Sequence, residues 1–175
     1  MRTWVLLIIA MLLSTSTLSA PREAALLGGR METLNEAAPD FHLRDTAGNP
    51  VRLSAFHGRP VILHFWATWC TSCRKELPAI DAFAHRLADS DVAFLLIAID
   101  RDADAATIRD YAQKLGITLP VLRAAEGDVT ERYWTWGVPA TYLVDRDGRL
   151  AGRVLGPLDW AAGATLAAIE GFATP

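Results

Sequence analysis

The sequence predicts an α/β domain: a mixed central sheet flanked by helices, opened by an N-terminal hairpin. Three observations carry this. Two continuous apolar runs, Val61 to Trp66 and Val92 to Ile99, are each followed by a segment with helical periodicity, the signature of strands buried on both faces and covered by helices. A closing pair of apolar segments brackets Asp145-Arg146-Asp147-Gly148, where Asp-Gly signals a hairpin turn. The chain has 175 residues, of which 51% are hydrophobic, enough for one core.

Taken in order, Phe41 to Arg44 and Val51 to Leu53 read as short strands around the turn Thr46-Ala47-Gly48-Asn49-Pro50, the opening hairpin. Val61 to Trp66 is the central strand. The next helix starts near Cys70 and carries Leu77, Ile80, Phe83, Ala84 and Leu87 on one face. Val92 to Ile99 is the second buried strand. Asp102 to Leu115 is helical through Ile108, Tyr111, Ala112 and Leu115, with Gly116 as its stop. Leu119 to Leu122 is a short strand and Val129 to Trp134 a short helix. Ala140 to Val144 and Leu150 to Leu155 form the late hairpin. Asp159 to Phe172 closes the chain as a helix with Asp159 as its N-cap.

Trp4 to Leu13 is an uninterrupted apolar run behind Arg2, ending in Leu18-Ser19-Ala20-Pro21, which reads as an export signal over residues 1–20. An uncleaved N-terminal anchor is the competing reading, because no charged residue occurs from Thr3 to Pro21. Residues 21–37 read as a polar lead-in or tether, and 38–175 as the folded domain. Either N-terminal reading makes the protein periplasmic or otherwise extracytoplasmic. The formal net charge is −3, which gives no basis for nucleic-acid binding.

The chemistry concentrates in Cys70-Thr71-Ser72-Cys73, which holds both cysteines of the chain. A C-x-x-C turn at a helix start brings two sulfurs within bonding reach, and the unpaired N–H groups there favour a thiolate at Cys70. Zinc would need two more Cys or His ligands; no third Cys exists, and His42, His57, His64 and His85 show no paired spacing. A purely structural staple would join distant segments, since so short a loop yields only about 2 kcal/mol. Export also places the pair in an oxidising compartment, so a dithiol acting as reductant needs an upstream electron donor.

Several blocks then occur in order: Ala38-Pro39-Asp40-Phe41, Gly58-Arg59-Pro60-Val61, Trp66-Ala67-Thr68-Trp69-Cys70, Arg74-Lys75-Glu76-Leu77-Pro78, Leu119-Pro120-Val121, Gly137-Val138-Pro139-Ala140-Thr141 and Tyr142-Leu143-Val144-Asp145. Together they resemble the thioredoxin superfamily, and within it the TlpA/ResA-type thiol:disulfide oxidoreductases, over roughly residues 38 to 172. The resemblance implies a thioredoxin fold with a central insertion, for which the interval from Cys73 to Pro139 is long enough, a redox-active Cys70–Cys73 disulfide and no cofactor. It implies a cis Val138–Pro139 peptide beside the cysteines, whose backbone pairs with a partner's cysteine-bearing segment, and a Trp69 that shapes the docking surface. Glu76 aligns with an acid near the dithiol, where an anion would oppose thiolate formation. A solvated helix carboxylate is the plain alternative. His64 stands where many thioredoxins carry a buried acid; a neutral imidazole could relay a proton to or from the resolving thiol, or be a satisfied core histidine. Trp134 and Trp136 belong to the core or to the partner groove.

The expected partners are disulfide-bearing exported proteins and a membrane or extracytoplasmic electron donor, with the enzyme a monomer. Cytochrome c haem-site cysteines and copper-site assembly proteins are the substrates the resemblance implies. Two other activities use the same residues. A copper-binding metallochaperone would use the thiolates as soft ligands, but the chain has no His after His85 and no Met after Met31 to add a third. A peroxiredoxin-like peroxidase would place Pro and Thr where Leu63 and Ala67 stand.

Overall fold

The computed structural model describes residues 31–125, 127–133, 135 and 137–173. The proposed export signal, the lead-in up to residue 30, Trp134 and Trp136 lie outside the described residues. One eight-stranded sheet forms the centre: β1 (Met31–Ala37), β2 (His42–Asp45), β3 (Pro50–Arg52), β4 (Val61–Trp66), β5 (Ala93–Ala98), β6 (Val121–Arg123), β7 (Ala140–Val144) and β8 (Arg149–Leu155), in the order β1-β8-β7-β4-β5-β6-β2-β3. β4, β5 and β6 run parallel, and the other pairings are antiparallel. The helices are α1 (Thr71–Arg86), α2 (Ala105–Lys114), the single turn α3 (Val129–Arg132) and α4 (Gly163–Ala173). The interval between α1 and β7 holds β5, α2, β6 and α3, the expected central insertion.

Every residue of β4 and β5 is buried, as their largely apolar sequences predict. Side chains alternate across a strand, so β4 feeds two cores. Ile62 and Trp66 pack with Leu77, Ile80, Phe83 and Trp160 in one cluster. Val61, Leu63 and Phe65 pack with Phe41, Tyr133 and Tyr142 in the other. His64 shares the parity of Ile62 and Trp66 and is itself 1% exposed. A polar residue is thereby carried into the layer between the sheet and α1. α1 runs on through Pro78, which is exposed; the carbonyl deprived of a partner belongs to Arg74 on the same solvent face.

Two expectations are corrected. Residues 31–37, read as part of a tether, form β1, which pairs with β8 at the sheet edge. Its sequence, METLNEA, shows no apolar alternation, because an edge strand in which only Met31 and Leu34 are partly buried is held mainly by backbone pairing. Gly152 makes the pairing possible, since a Cβ there would meet the Met31 side chain at 3.0 Å and the Glu32 carbonyl at 3.1 Å. Asp159 is not the cap of the last helix. Its carboxylate accepts the Ala161 N–H at 3.0 Å, closing an Asx-type turn, and α4 begins only at Gly163.

Candidate functional site

The site lies at the C-terminal end of β4, where ligand sites of open α/β sheets collect. The chain leaves β4 at Trp66, turns through Ala67 to Trp69 and enters α1, with Cys70 as its N-cap. Cys70 and Cys73 form a disulfide with their Cα atoms 5.3 Å apart. The Cys73 N–H donates to Cys70 Sγ at 3.2 Å, and Ser72 Oγ lies 3.4 Å from the same sulfur. When the bond opens, these donors favour negative charge on Cys70. Cys70 is 6% exposed and Cys73 is fully enclosed, so an incoming reagent reaches Cys70 first.

The Val138–Pro139 peptide is cis, and the Val138 carbonyl oxygen lies 3.6 Å from Cys70 Sγ. Trp69, 67% exposed, lines the same groove as Cys70 and Val138. An open groove of about 810 Å³ runs past Trp69, Cys70, Lys75, Glu76, Val138 and Leu158. Leu155, the other large exposed hydrophobic residue among those described, pairs with Ala140 in the strand that follows Pro139.

Glu76 is not a solvated carboxylate. It is 6% exposed, on the α1 stripe that includes Cys73, Leu77 and Ile80. Its Oε2 accepts the Leu158 N–H at 3.0 Å, and its Oε1 lies 3.4 Å from His64 Nε2. Burial pushes the Glu76 carboxyl up to about 7, against the pull of the Leu158 N–H and of the nearby Trp160 indole. Complete burial pulls the His64 imidazole down to about 3, so the contact joins two groups that each resist charge. The other ring nitrogen, Nδ1, lies 3.1 Å from Thr141 Oγ1. His64 thus sits between Thr141, within hydrogen-bond distance of Nδ1, and Glu76, whose Oε1 faces Nε2 at 3.4 Å.

The structure therefore brings Cys70, Cys73, Trp69, Val138, Pro139, Glu76 and His64 into one neighbourhood. Sequence reasoning missed Thr141, which stands opposite His64 in the β4–β7 register. It also missed Asp100. That buried carboxylate takes the Thr68 N–H at 3.1 and 3.2 Å and the Thr68 hydroxyl at 2.6 Å, tying the loop before Cys70 to the end of β5. The available signal was an acid closing an apolar strand at the same end of the sheet as the cysteines.

Comparison with known proteins agrees with this geometry. The model of the AhpC/TSA family matches residues 34–153. The thiol-disulfide oxidoreductase ResA of Bacillus thuringiensis subsp. konkukian is 28% identical over 123 residues, 70% of each chain. The thioredoxin domain of a thiol-disulfide oxidoreductase from Bacteroides vulgatus superposes with a TM-score of 0.69 at 24% identity, covering 82% of this chain and 99% of that one. A secreted disulfide oxidoreductase of Mycobacterium tuberculosis, homologous to E. coli DsbE, superposes with a TM-score of 0.63 at 24% identity, covering 73% and 95%. The chain belongs to the AhpC/TSA family and is a thiol-disulfide oxidoreductase of thioredoxin fold, with Cys70 and Cys73 as its cysteine pair.

Proposed function

We propose that this oxidoreductase is exported and works as a reductant of partner-protein disulfides. The observation that carries the reading is the asymmetry of the pair: Cys70 borders the groove and Cys73 is enclosed behind it. In the dithiol form the Cys70 thiolate attacks one sulfur of the partner disulfide, and the other partner sulfur leaves as thiolate. Cys73, deprotonated, then attacks Cys70 Sγ. The second partner sulfur departs and takes a proton, two electrons have passed to the partner, and the enzyme is left as the Cys70–Cys73 disulfide. A donor in the same compartment returns the two electrons.

Glu76 takes the Cys73 proton in this reading. It lies one helical turn beyond Cys73, and a carboxyl held near neutrality can both accept and return a proton. The backbone at Val138–Pro139 receives the partner's extended segment, with Trp69 flanking it. Cytochrome c haem-site cysteines and copper-site proteins are the substrate classes proposed. Equilibration of the Cys70–Cys73 couple against glutathione or dithiothreitol buffers tests the polarity. A reductant should lie below the disulfide-isomerase value of about −180 mV, and a value near the −120 mV typical of a disulfide-forming enzyme overturns the reading.

Export rests on the apolar run Trp4 to Leu13 and on the likeness to a secreted oxidoreductase. Intact mass of the extracytoplasmic protein should lack about the first 20 residues. Full-length protein confined to the membrane fraction would establish an anchor instead, and full-length protein in the cytosol would overturn export.

A further inference from the structure

Among the described residues, the buried side-chain atoms without a hydrogen-bond partner include His64 Nε2 and Glu76 Oε1. These two atoms face each other at 3.4 Å. Glu76 Oε2 is already occupied by the Leu158 N–H, so the titrating proton of the carboxyl belongs on Oε1, against the ring. On the far side of the ring, His64 and Thr141 are directly paired across β4 and β7, both 1% exposed, with Nδ1 and Oγ1 3.1 Å apart.

We propose that His64 and Thr141 act as a tautomer switch that lets Glu76 gain and lose its proton while the imidazole stays neutral. The proposal rests on the reading of Glu76 as the proton acceptor for Cys73, and it makes His64 a positioning residue acting through Glu76. With Glu76 protonated, Oε1–H donates to Nε2 and the ring proton sits on Nδ1, donating to the Thr141 oxygen. With Glu76 ionised, Nε2–H donates to Oε1 and Nδ1 accepts the Thr141 O–H. Only a group that is donor and acceptor at once can serve Nδ1 in both states, and a hydroxyl is such a group. The two states differ by one proton, held by the Glu76 carboxyl in the first and released to solvent in the second. The ring holds one proton in each state, on Nδ1 in the first and on Nε2 in the second.

The surroundings suit neutral states on both sides of the exchange. Trp160 meets the imidazole edge-on at 6.0 Å, and its buried indole N–H lies near enough to the Glu76 carboxyl to favour the ionised form. From α1 the neighbouring groups are Cys73 and Lys75, and from the segment before α4 they are the Leu158 N–H and Asp159. Lys75 and Asp159 are exposed on the groove wall. Arg86 donates to the Trp160 carbonyl at 3.4 Å and lies over the Phe83 ring at 5.2 Å. Total enclosure opposes an imidazolium, which leaves the tautomer exchange as the ring's means of following Glu76.

The test uses the wild-type protein labelled with ¹⁵N-histidine and ¹³C-glutamate, oxidised, with spectra recorded from about pH 5 to pH 9. His64 should remain neutral and cross from the Nδ1–H to the Nε2–H tautomer, with the midpoint of the Glu76 carboxyl titration. Thr141→Val leaves a buried Nδ1–H unpaired, which penalises the protonated-Glu76 state most. The Glu76 midpoint should fall, a several-fold loss of proton affinity, and Thr141→Ser should restore it. One tautomer at every pH, an imidazolium signal, or an unmoved midpoint in Thr141→Val overturns the switch. Failure of the underlying reading looks different: tautomer crossing would be intact while Glu76→Gln left the redox couple unchanged.

Discussion

Cys70→Ser should lose disulfide exchange by roughly three orders of magnitude or more, because a serine hydroxyl stays protonated at neutral pH and cannot replace a thiolate nucleophile. Cys73→Ser should behave in the opposite manner. It should attack partners at near-normal rate through Cys70 and then stall, accumulating mixed disulfides that only an external thiol releases. The asymmetry follows from the fold. Cys70 caps α1, receives the Cys73 N–H and borders the groove, whereas Cys73 lies one turn deeper and is fully enclosed. Non-reducing electrophoresis of protein recovered with its partners reads the trapping, and iodoacetamide labelling of the reduced wild type reads the division of labour. Equal alkylation rates for the two thiols, or partners trapped on Cys73, would defeat this assignment.

Glu76→Gln should change stability and redox behaviour in a pH window set by the raised carboxyl. The folded-state value is about 7 against an ordinary 4.5, so between these the folded protein holds a proton that the unfolded chain has released. Stability therefore falls as pH rises through this interval. At about 1.4 kcal/mol per unit the wild type loses on the order of 3 kcal/mol by pH 8 relative to pH 4. The glutamine variant lacks this slope and should denature at higher urea than the wild type at pH 8, with the gap closing toward pH 4. The redox effect has the same window. Above pH 7 the ionised carboxylate opposes the Cys70 thiolate and destabilises the dithiol, so removing it should raise the potential by about 30 mV per unit of thiol pKa recovered. Near pH 6 the wild-type carboxyl is neutral and the two proteins should converge. Urea midpoints across pH, with the potential measured at pH 6 and pH 8, check both. A pH-independent difference between the two proteins would remove the titration of Glu76 from the account.

Much of this was legible in the chain. The apolarity of Val61 to Trp66, interrupted only by His64, and of Val92 to Ile99 marks strands buried on both faces, a local property of composition that tertiary packing does not alter. The Cys70-x-x-Cys73 pair at a helix start, and the ordered blocks from Ala38 to Asp145, carry the fold and the chemistry together. Where the signal is periodicity, polar edge structure is silent. β1 has no buried face, and its strand exists because β8 offers an unpaired edge and Gly152 lets the backbone approach.

The His64–Glu76–Thr141 cluster shows the division most clearly. The sequence by itself determined that an acid falls on the inward stripe of α1, one turn after Cys73, and that a histidine interrupts the central strand; both are facts of spacing. Only the tertiary structure decided that the two meet at 3.4 Å, because that depends on α1 lying over the even-numbered face of β4. Only the antiparallel register of β7 on β4 brought Thr141, 77 positions away, to the other nitrogen. The proton affinities follow from the same packing. A carboxyl at about 7 and an imidazole at about 3 are consequences of excluding water from both groups, and exclusion is a property of the assembled layers that no single stretch of the chain contains.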